Sequence, residues 1–156
     1  MQLTGIVEFV SLGGNEANGA AVGPAYFRRY VLEYEVQLMQ ALHGFGGRAI
    51  YHNCGKAALL LPLLREIGMD VYESLTPPPF GDTDPAEAIR IMEGVGLMGG
   101  IDQIEFLRKA TPAAVRQRVS ELAELAARHG RFILGTSDYI NESTPLENLR
   151  ALRAAI

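Results

Sequence analysis

Apolar and polar positions change period repeatedly along the chain, and those changes mark out its elements. Gly5 to Leu12 is mainly apolar and β-prone and stops at Gly13-Gly14, which predicts a buried strand. Asn15 to Gly23 is a polar, Gly- and Ala-rich loop, and Pro24 suits the first turn of a helix. From there Phe27, Tyr30, Val31, Tyr34, Leu38, Ala41 and Leu42 recur at helical spacing, with Arg28, Arg29, Glu33 and Glu35 largely on the solvent side. Gly44 ends that helix, and His43 just inside it suits the negative end of the helix dipole, as does His129 before Gly130.

Ala49-Ile50-Tyr51 leads a second strand into His52-Asn53-Cys54-Gly55, and a helix follows from about Lys56 to Ile67, closed by Gly68. Asp70 to Leu75 is a further short strand. Thr76-Pro77-Pro78-Pro79 is a stiff loop, because three consecutive residues lack an N–H. Asp84-Pro85-Ala86-Glu87 reads as a capping box opening a helix that ends near Gly94. Val95 to Ile101 is the next strand, and Gly96, Gly99 and Gly100 let something approach its backbone closely. Thr111-Pro112 starts the longest helix, with Val115, Val119, Leu122, Leu125 and Ala126 on its buried side. Phe132 to Leu134 gives a last strand running into Gly135-Thr136-Ser137-Asp138, and a second capping box, Thr144-Pro145-Leu146-Glu147, opens a terminal helix through Leu149, Leu152 and Ile156.

Strand and helix therefore alternate throughout, the pattern of a parallel sheet covered by helices. Two architectures compete. An open doubly wound sheet is a complete domain at this length, whereas a (β/α)8 barrel needs about 250 residues. No G-x-G-x-x-G opens the first helix, which weakens a dinucleotide-binding version. In either fold chemistry sits at the carboxyl ends of the strands. That rule gathers Asn15, Glu16, His52, Cys54, Glu73, Thr76, Asp102, Gln103, Ser137 and Asp138 on one rim.

Composition narrows the classes. A chain of 156 residues with 48% hydrophobic and 21% charged residues is globular and suits a single domain, 1–156. A net charge of -4 without a basic cluster argues against a nucleic-acid surface. The single cysteine excludes an internal disulfide and fits a reducing compartment. No Lys or Arg precedes the N-terminal apolar run, and the longest greasy run, Ala57 to Leu64, falls far short of the roughly 20 residues of a membrane helix. The expectation is a cytoplasmic protein that makes no membrane contact.

The candidate chemistry starts at His52 and Cys54. Side chains two apart on a strand share a face, and a neutral imidazole beside a thiolate makes half of a zinc site. The alternative is that Cys54 is a small buried hydrophobe, His52 a hydrogen-bonded rim residue and Asp138 a cap.

His52-Asn53-Cys54-Gly55, Gly99-Gly100-Ile101-Asp102, Thr111-Pro112, Phe132-Ile133-Leu134 and Thr144-Pro145-Leu146-Glu147-Asn148-Leu149 run in an order that resembles the uroporphyrinogen decarboxylase superfamily. That superfamily comprises porphyrinogen decarboxylases and cobamide-dependent methyltransferases. The resemblance implies the C-terminal half of a (β/α)8 TIM barrel, from about Thr4 to the end. The His-x-Cys pair is similar to the methyltransferase branch, in which a third ligand, Cys, lies seven residues before the Pro of the last Thr-Pro motif; decarboxylases place a His there. Counting back from Pro145 reaches Asp138, so this chain departs from both. The resemblance implies His52, Cys54 and Asp138 as zinc ligands, with Glu16, Glu73 or Asp102 as substitutes for the third. Glu73 and Asp102 are expected as catalytic or substrate-positioning groups.

The expected enzyme is thus a zinc-dependent, corrinoid-linked methyltransferase that activates a thiol, with a small-molecule substrate or corrinoid protein as partner and a corrinoid as methyl donor. Porphyrinogen decarboxylation is the alternative; it needs cations for the substrate's carboxylates, and only Lys56 stands among the rim candidates. A third expectation is that the chain is a non-catalytic fragment or subunit. Half a barrel exposes two strand edges, so a homo-oligomer or an N-terminal half-barrel partner is expected.

Overall fold

The computed structural model describes residues 8–154. Five strands lie side by side in sequence order: β1 (Phe9–Gly13), β2 (Arg48–His52), β3 (Val71–Leu75), β4 (Gly96–Ile101) and β5 (Phe132–Thr136). Every neighbouring pair is parallel. Between and after them run helices α1 (Pro24–Tyr30), α2 (Leu32–Gly44), α3 (Leu61–Glu66), α4 (Pro85–Ile91), α5 (Phe106–Lys109), α6 (Pro112–His129) and α7 (Leu146–Ala154). A doubly wound sheet reverses its strand order at a switch point. This sheet has no reversal among the described residues, which decides between the two architectures: the chain is an open segment of a (β/α)8 barrel. The predicted first strand, 5–12, lies partly outside the described residues. No described helix is long and apolar enough to cross a membrane.

The two faces of the sheet are unlike. Ala49, Tyr51, Tyr72, Leu97 and Phe132 point into the helix layer and are buried. On the other face Phe9 and Ile133 are exposed, and Ile50, Val71 and Met98 are half-buried. Most apolar anchoring is thus between sheet and helices. On α6, Val115, Val119 and Leu122 are fully sequestered, each worth about 1.5–3 kcal/mol by transfer. Thr111 Oγ1 accepts from the Ala114 amide at 3.3 Å at its start, and Gly130 ends it at φ 66°.

Several sequence expectations are corrected. The helix predicted from Pro24 breaks at Val31 (φ −119°, ψ −51°), giving α1 and α2. The break resets the helical phase, so Phe27, Leu32, Met39 and Leu42 are buried, while Tyr30, Tyr34 and Leu38 from the predicted stripe are exposed. The helix predicted from Lys56 begins instead as a 3-10 turn, Ala58–Leu60. The Asp82 carboxylate holds the start of that turn, accepting from the Ala57 and Ala58 amides at 2.8 and 3.0 Å. The first capping box is made in part, with Asp84 Oδ1 accepting from the Glu87 amide at 2.9 Å. The second is not: Thr144 Oγ1 is buried without a partner among the described residues. Asn148 fixes α7 instead, donating to the carbonyls of Leu107 and Ala110 at 2.8 Å each. The close approach that the β4 glycines permit is that of β3, since a Cβ on Gly99 would lie 2.8 Å from Leu75 N. There the register slips between Glu73 and Leu75, around Ser74 at φ 84°.

Candidate metal centre

The site forms where the carboxyl ends of β2, β3 and β5 meet on the open face. Parallel pairing aligns Gly13, His52, Glu73, Met98 and Ile133 in one row across the sheet. Sheet register therefore puts His52 beside Glu73 without help from any loop. The His52 Nδ1 faces Glu73 Oε2 in a short hydrogen bond. Its Nε2 lies 3.9 Å from Asp138 Oδ2.

Cys54 arrives differently from the strand alternation expected of it. Strand β2 ends at His52, and Cys54 sits in the turn that follows. Gly55 completes this turn at φ 82°, a conformation open to glycine without strain. The buried Asn53 pins the turn, donating to the Gly14 carbonyl at 2.8 Å while its own carbonyl accepts from the Tyr72 hydroxyl at 2.7 Å. The Cys54 amide donates to Asn15 Oδ1 at 3.2 Å. Asp138 is fixed from the opposite side. Its neighbour Ser137 is buried, and the hydroxyl donates to the carbonyls of Leu75 at 2.6 Å and Ile101 at 3.1 Å. The Ser74 hydroxyl donates in turn to the Ser137 carbonyl. The end of β5 is thereby tied to β3 and β4.

One donor atom each from His52, Cys54 and Asp138 lies within 4.8 Å of the others. A tetrahedral zinc with bonds of about 2.0–2.3 Å spaces its ligands roughly 3.3–3.8 Å apart. The three donors therefore stand slightly wider than a closed site, and they are a neutral nitrogen, a sulfur and an oxygen, all acceptable to zinc. Asp138 Oδ1 accepts from the Tyr139 amide at 2.7 Å, which leaves Oδ2 as the oxygen turned to His52. Glu73 holds the far nitrogen of His52, the arrangement that orients metal-binding imidazoles. Burial pushes the Cys54 thiol above its ordinary pKa, and Asp138 pushes it further by charge and by hydrogen bonding, with a smaller push from Glu73; a backbone hydrogen bond opposes these. Asp138 and Glu73 thus favour a proton or a cation on this group.

Other rim candidates do different work. Asp102 is buried, its Oδ1 accepting from the amides of Ile104 and Glu105 at 2.8 and 2.9 Å and its Oδ2 from that of Phe80 at 3.1 Å. It shapes the loop leading to α5, a helix with no clear sequence signal, and is not brought to His52. The Thr76 hydroxyl donates to the Ser74 carbonyl in β3 at 2.9 Å and accepts from the Gly55 amide, in the turn that carries Cys54, at 3.4 Å. Asn53 and Ser74 are the contributors that rim counting missed. Asn53 lay inside the motif itself, whereas nothing in the sequence distinguished Ser74. A cleft of about 870 Å3 opens over the site, lined by Ile50, Met98, Tyr139 and Ile140 among others.

A family model described as uroporphyrinogen decarboxylase (URO-D) matches residues 3–156. A methylated-thiol–coenzyme M methyltransferase of Methanosarcina mazei is 28% identical over 142 residues, covering 90% of this chain and 35% of the relative. Among solved structures, a methyltransferase from Methanosarcina mazei superposes with a TM-score of 0.78 at 18% identity, covering 96% of this chain and 42% of that one. The chain thus spans less than half the length of either relative.

Proposed function

The chain belongs to the uroporphyrinogen decarboxylase (URO-D) family, and from that premise we propose that it carries the zinc site of a corrinoid-linked methyltransferase acting on a thiol. The observation that supports this reading is the convergence of His52, Cys54 and Asp138, with Glu73 behind the histidine. The relative named as a methylated-thiol–coenzyme M methyltransferase points to the same chemistry.

Zinc held there supplies a Lewis acid that lowers the pKa of a thiol and presents it as a nucleophile. The chain's own residues prepare that task. The Glu73 carboxylate accepts a hydrogen bond from the His52 Nδ1–H and so favours the tautomer that turns a free Nε2 toward Asp138. The Tyr139 amide occupies one oxygen of Asp138 and leaves the other to act as a single ligand. Asn15 and Asn53 hold the turn that carries Cys54. The cleft over these residues would receive the thiol, and a corrinoid would supply the methyl group. Glu73 is a positioning residue in this scheme, and Asp102 takes no part in the reaction.

Metal analysis of protein purified without added zinc tests the reading. The expected result is one zinc per chain, lost on His52→Ala. A content well below that, unchanged by reconstitution with zinc, excludes it.

A further inference from the structure

We propose, resting on the metal-site reading above, that Ser74 is a positioning residue for the candidate metal centre, its hydroxyl setting where Asp138 stands relative to His52. Ser74 is fully buried and, among the described residues, is the one non-glycine residue with a positive φ, at 84°. Glycine adopts that conformation without strain, whereas a residue with a Cβ holds it only where its surroundings enforce it. What serine adds over glycine here is the hydroxyl. That hydroxyl donates to the Ser137 carbonyl, in the peptide link that leads into Asp138. The strands it joins are not neighbours, since β4 lies between β3 and β5. The register slip after Glu73 re-aims the Ser74 side chain, and beside Leu75 and Gly135 β4 has only Gly99 and Gly100. The Ser137 hydroxyl donates back to the Leu75 carbonyl at 2.6 Å, so the two serines clasp the ends of β3 and β5 reciprocally.

The other two arms of the site reach Ser74 through its backbone. Glu73, the residue before it, holds His52 Nδ1. The Ser74 carbonyl accepts from the Thr76 hydroxyl at 2.9 Å, which accepts in turn from the Gly55 amide at 3.4 Å, in the turn that carries Cys54. One residue thus ties all three donors, and only the tie to Asp138 passes through its side chain. Ser74→Gly is for that reason a selective cut. It suits the backbone conformation, keeps both backbone ties and removes the tie to Asp138 alone.

The test is zinc and cobalt(II) binding to the full chain, measured by competition with a chelator. It compares wild type, Ser74→Gly, Asp138→Asn and the double variant. Ser74→Gly is expected to bind zinc about tenfold more weakly than wild type, the lower end for groups that orient metal ligands. The visible spectrum of its cobalt(II) form is expected to move toward that of Asp138→Asn. In the Asp138→Asn background the same substitution is expected to change affinity less than about threefold, because the interaction it removes is already lost. Zinc affinity within about twofold of wild type, a wild-type cobalt spectrum, or an equal loss in both backgrounds overturns the inference and leaves the metal-site reading standing. No zinc or cobalt bound by wild type overturns both. Ser74→Ala also lacks the hydroxyl and is expected to reproduce the loss; wild-type affinity in that variant overturns the assignment to the hydroxyl. Binding is referred to the folded fraction, from thermal unfolding of the metal-free forms, and where one serine variant does not fold the other decides.

Discussion

The ends of β4 and β5 carry the same residue type in the same kind of place, with opposite outcomes. Asp102 and Asp138 both follow a strand's carboxyl end on one rim. Asp102 is 1% exposed and gives both oxygens to three backbone amides. Asp138 gives one oxygen to Tyr139 and keeps the other 3.9 Å from His52. Strand-end position therefore selects carboxylates that can reach a site; free oxygens select those that can act there. Saturated by amides, a carboxylate is a piece of backbone architecture.

The largest effect expected from this contrast is on folding, at Asp102. Asp102→Ala strands three inward amides, at about 1–3 kcal/mol for each group left unsatisfied. With partial rescue by water the cost should be about 3–4 kcal/mol, lowering Tm by roughly 6–16 °C for a chain of this size. Zinc per folded chain should not change. A variant that melts normally but loses zinc would reverse the contrast. Asp138→Asn is the complementary experiment. The neutral amide is a poor ligand, so zinc affinity should fall about 10–100-fold, while the metal-free protein melts within about 0.5 kcal/mol of wild type. Competition with a zinc chelator measures the first quantity and thermal unfolding of the metal-free form the second.

Much of this was legible in the sequence, for definite reasons. Alternating periods gave the strands and helices their order, because apolar spacing reports burial directly. The rim was legible because every β/α unit points its strand end the same way. The phase break at Val31 was not, because the seven positions at helical spacing fit one continuous helix equally well; only tertiary contact chooses Leu32 and Met39 over Tyr34 and Leu38. The state of Asp102 was hidden for a similar reason. Its partners at Phe80, Ile104 and Glu105 are backbone amides, which carry no sequence signature. Capping chemistry split in the same way: Asp84 caps α4 as its pattern predicts, whereas the Thr144 hydroxyl has no partner among the described residues and Asn148 anchors α7.

Glu73 lies between the two cases, with one oxygen engaged by a side chain that itself faces the site. Glu73→Gln keeps the shape but weakens the hold on His52. Zinc affinity should fall about tenfold, at the lower end for outer-shell partners of metal-bound histidines. A loss as large as that of Asp138→Asn would mean that Glu73 ligates directly, and that the carboxylate at β5 is the orienting one.

The smallest effect concerns Asp70, a carboxylate at the opposite end of the sheet, where no chemistry is placed. Its Oδ2 accepts from the Ala49 amide at 2.8 Å and meets His43 Nε2 at 3.0 Å. Burial alone would raise its pKa, but the amide bond, His43 and Arg48 together outweigh it and hold the carboxyl below its ordinary value of 3.8. A folded-state pKa below the unfolded one means that the native state favours the ionised form. That stability is fully present above the unfolded pKa and disappears as pH falls through the lower folded value. The side chain is 33% exposed, so solvent screening limits the contribution to under about 1 kcal/mol. Asp70→Asn should accordingly be slightly less stable than wild type at pH 6, and denaturant midpoints of the two proteins should converge as pH falls through and below the ordinary carboxylate range. A gap that persists undiminished into acid would show that the geometry of the amide bond, and not the charge, is what the aspartate supplies. Asp70 would then stand with Asp102 as architecture alone.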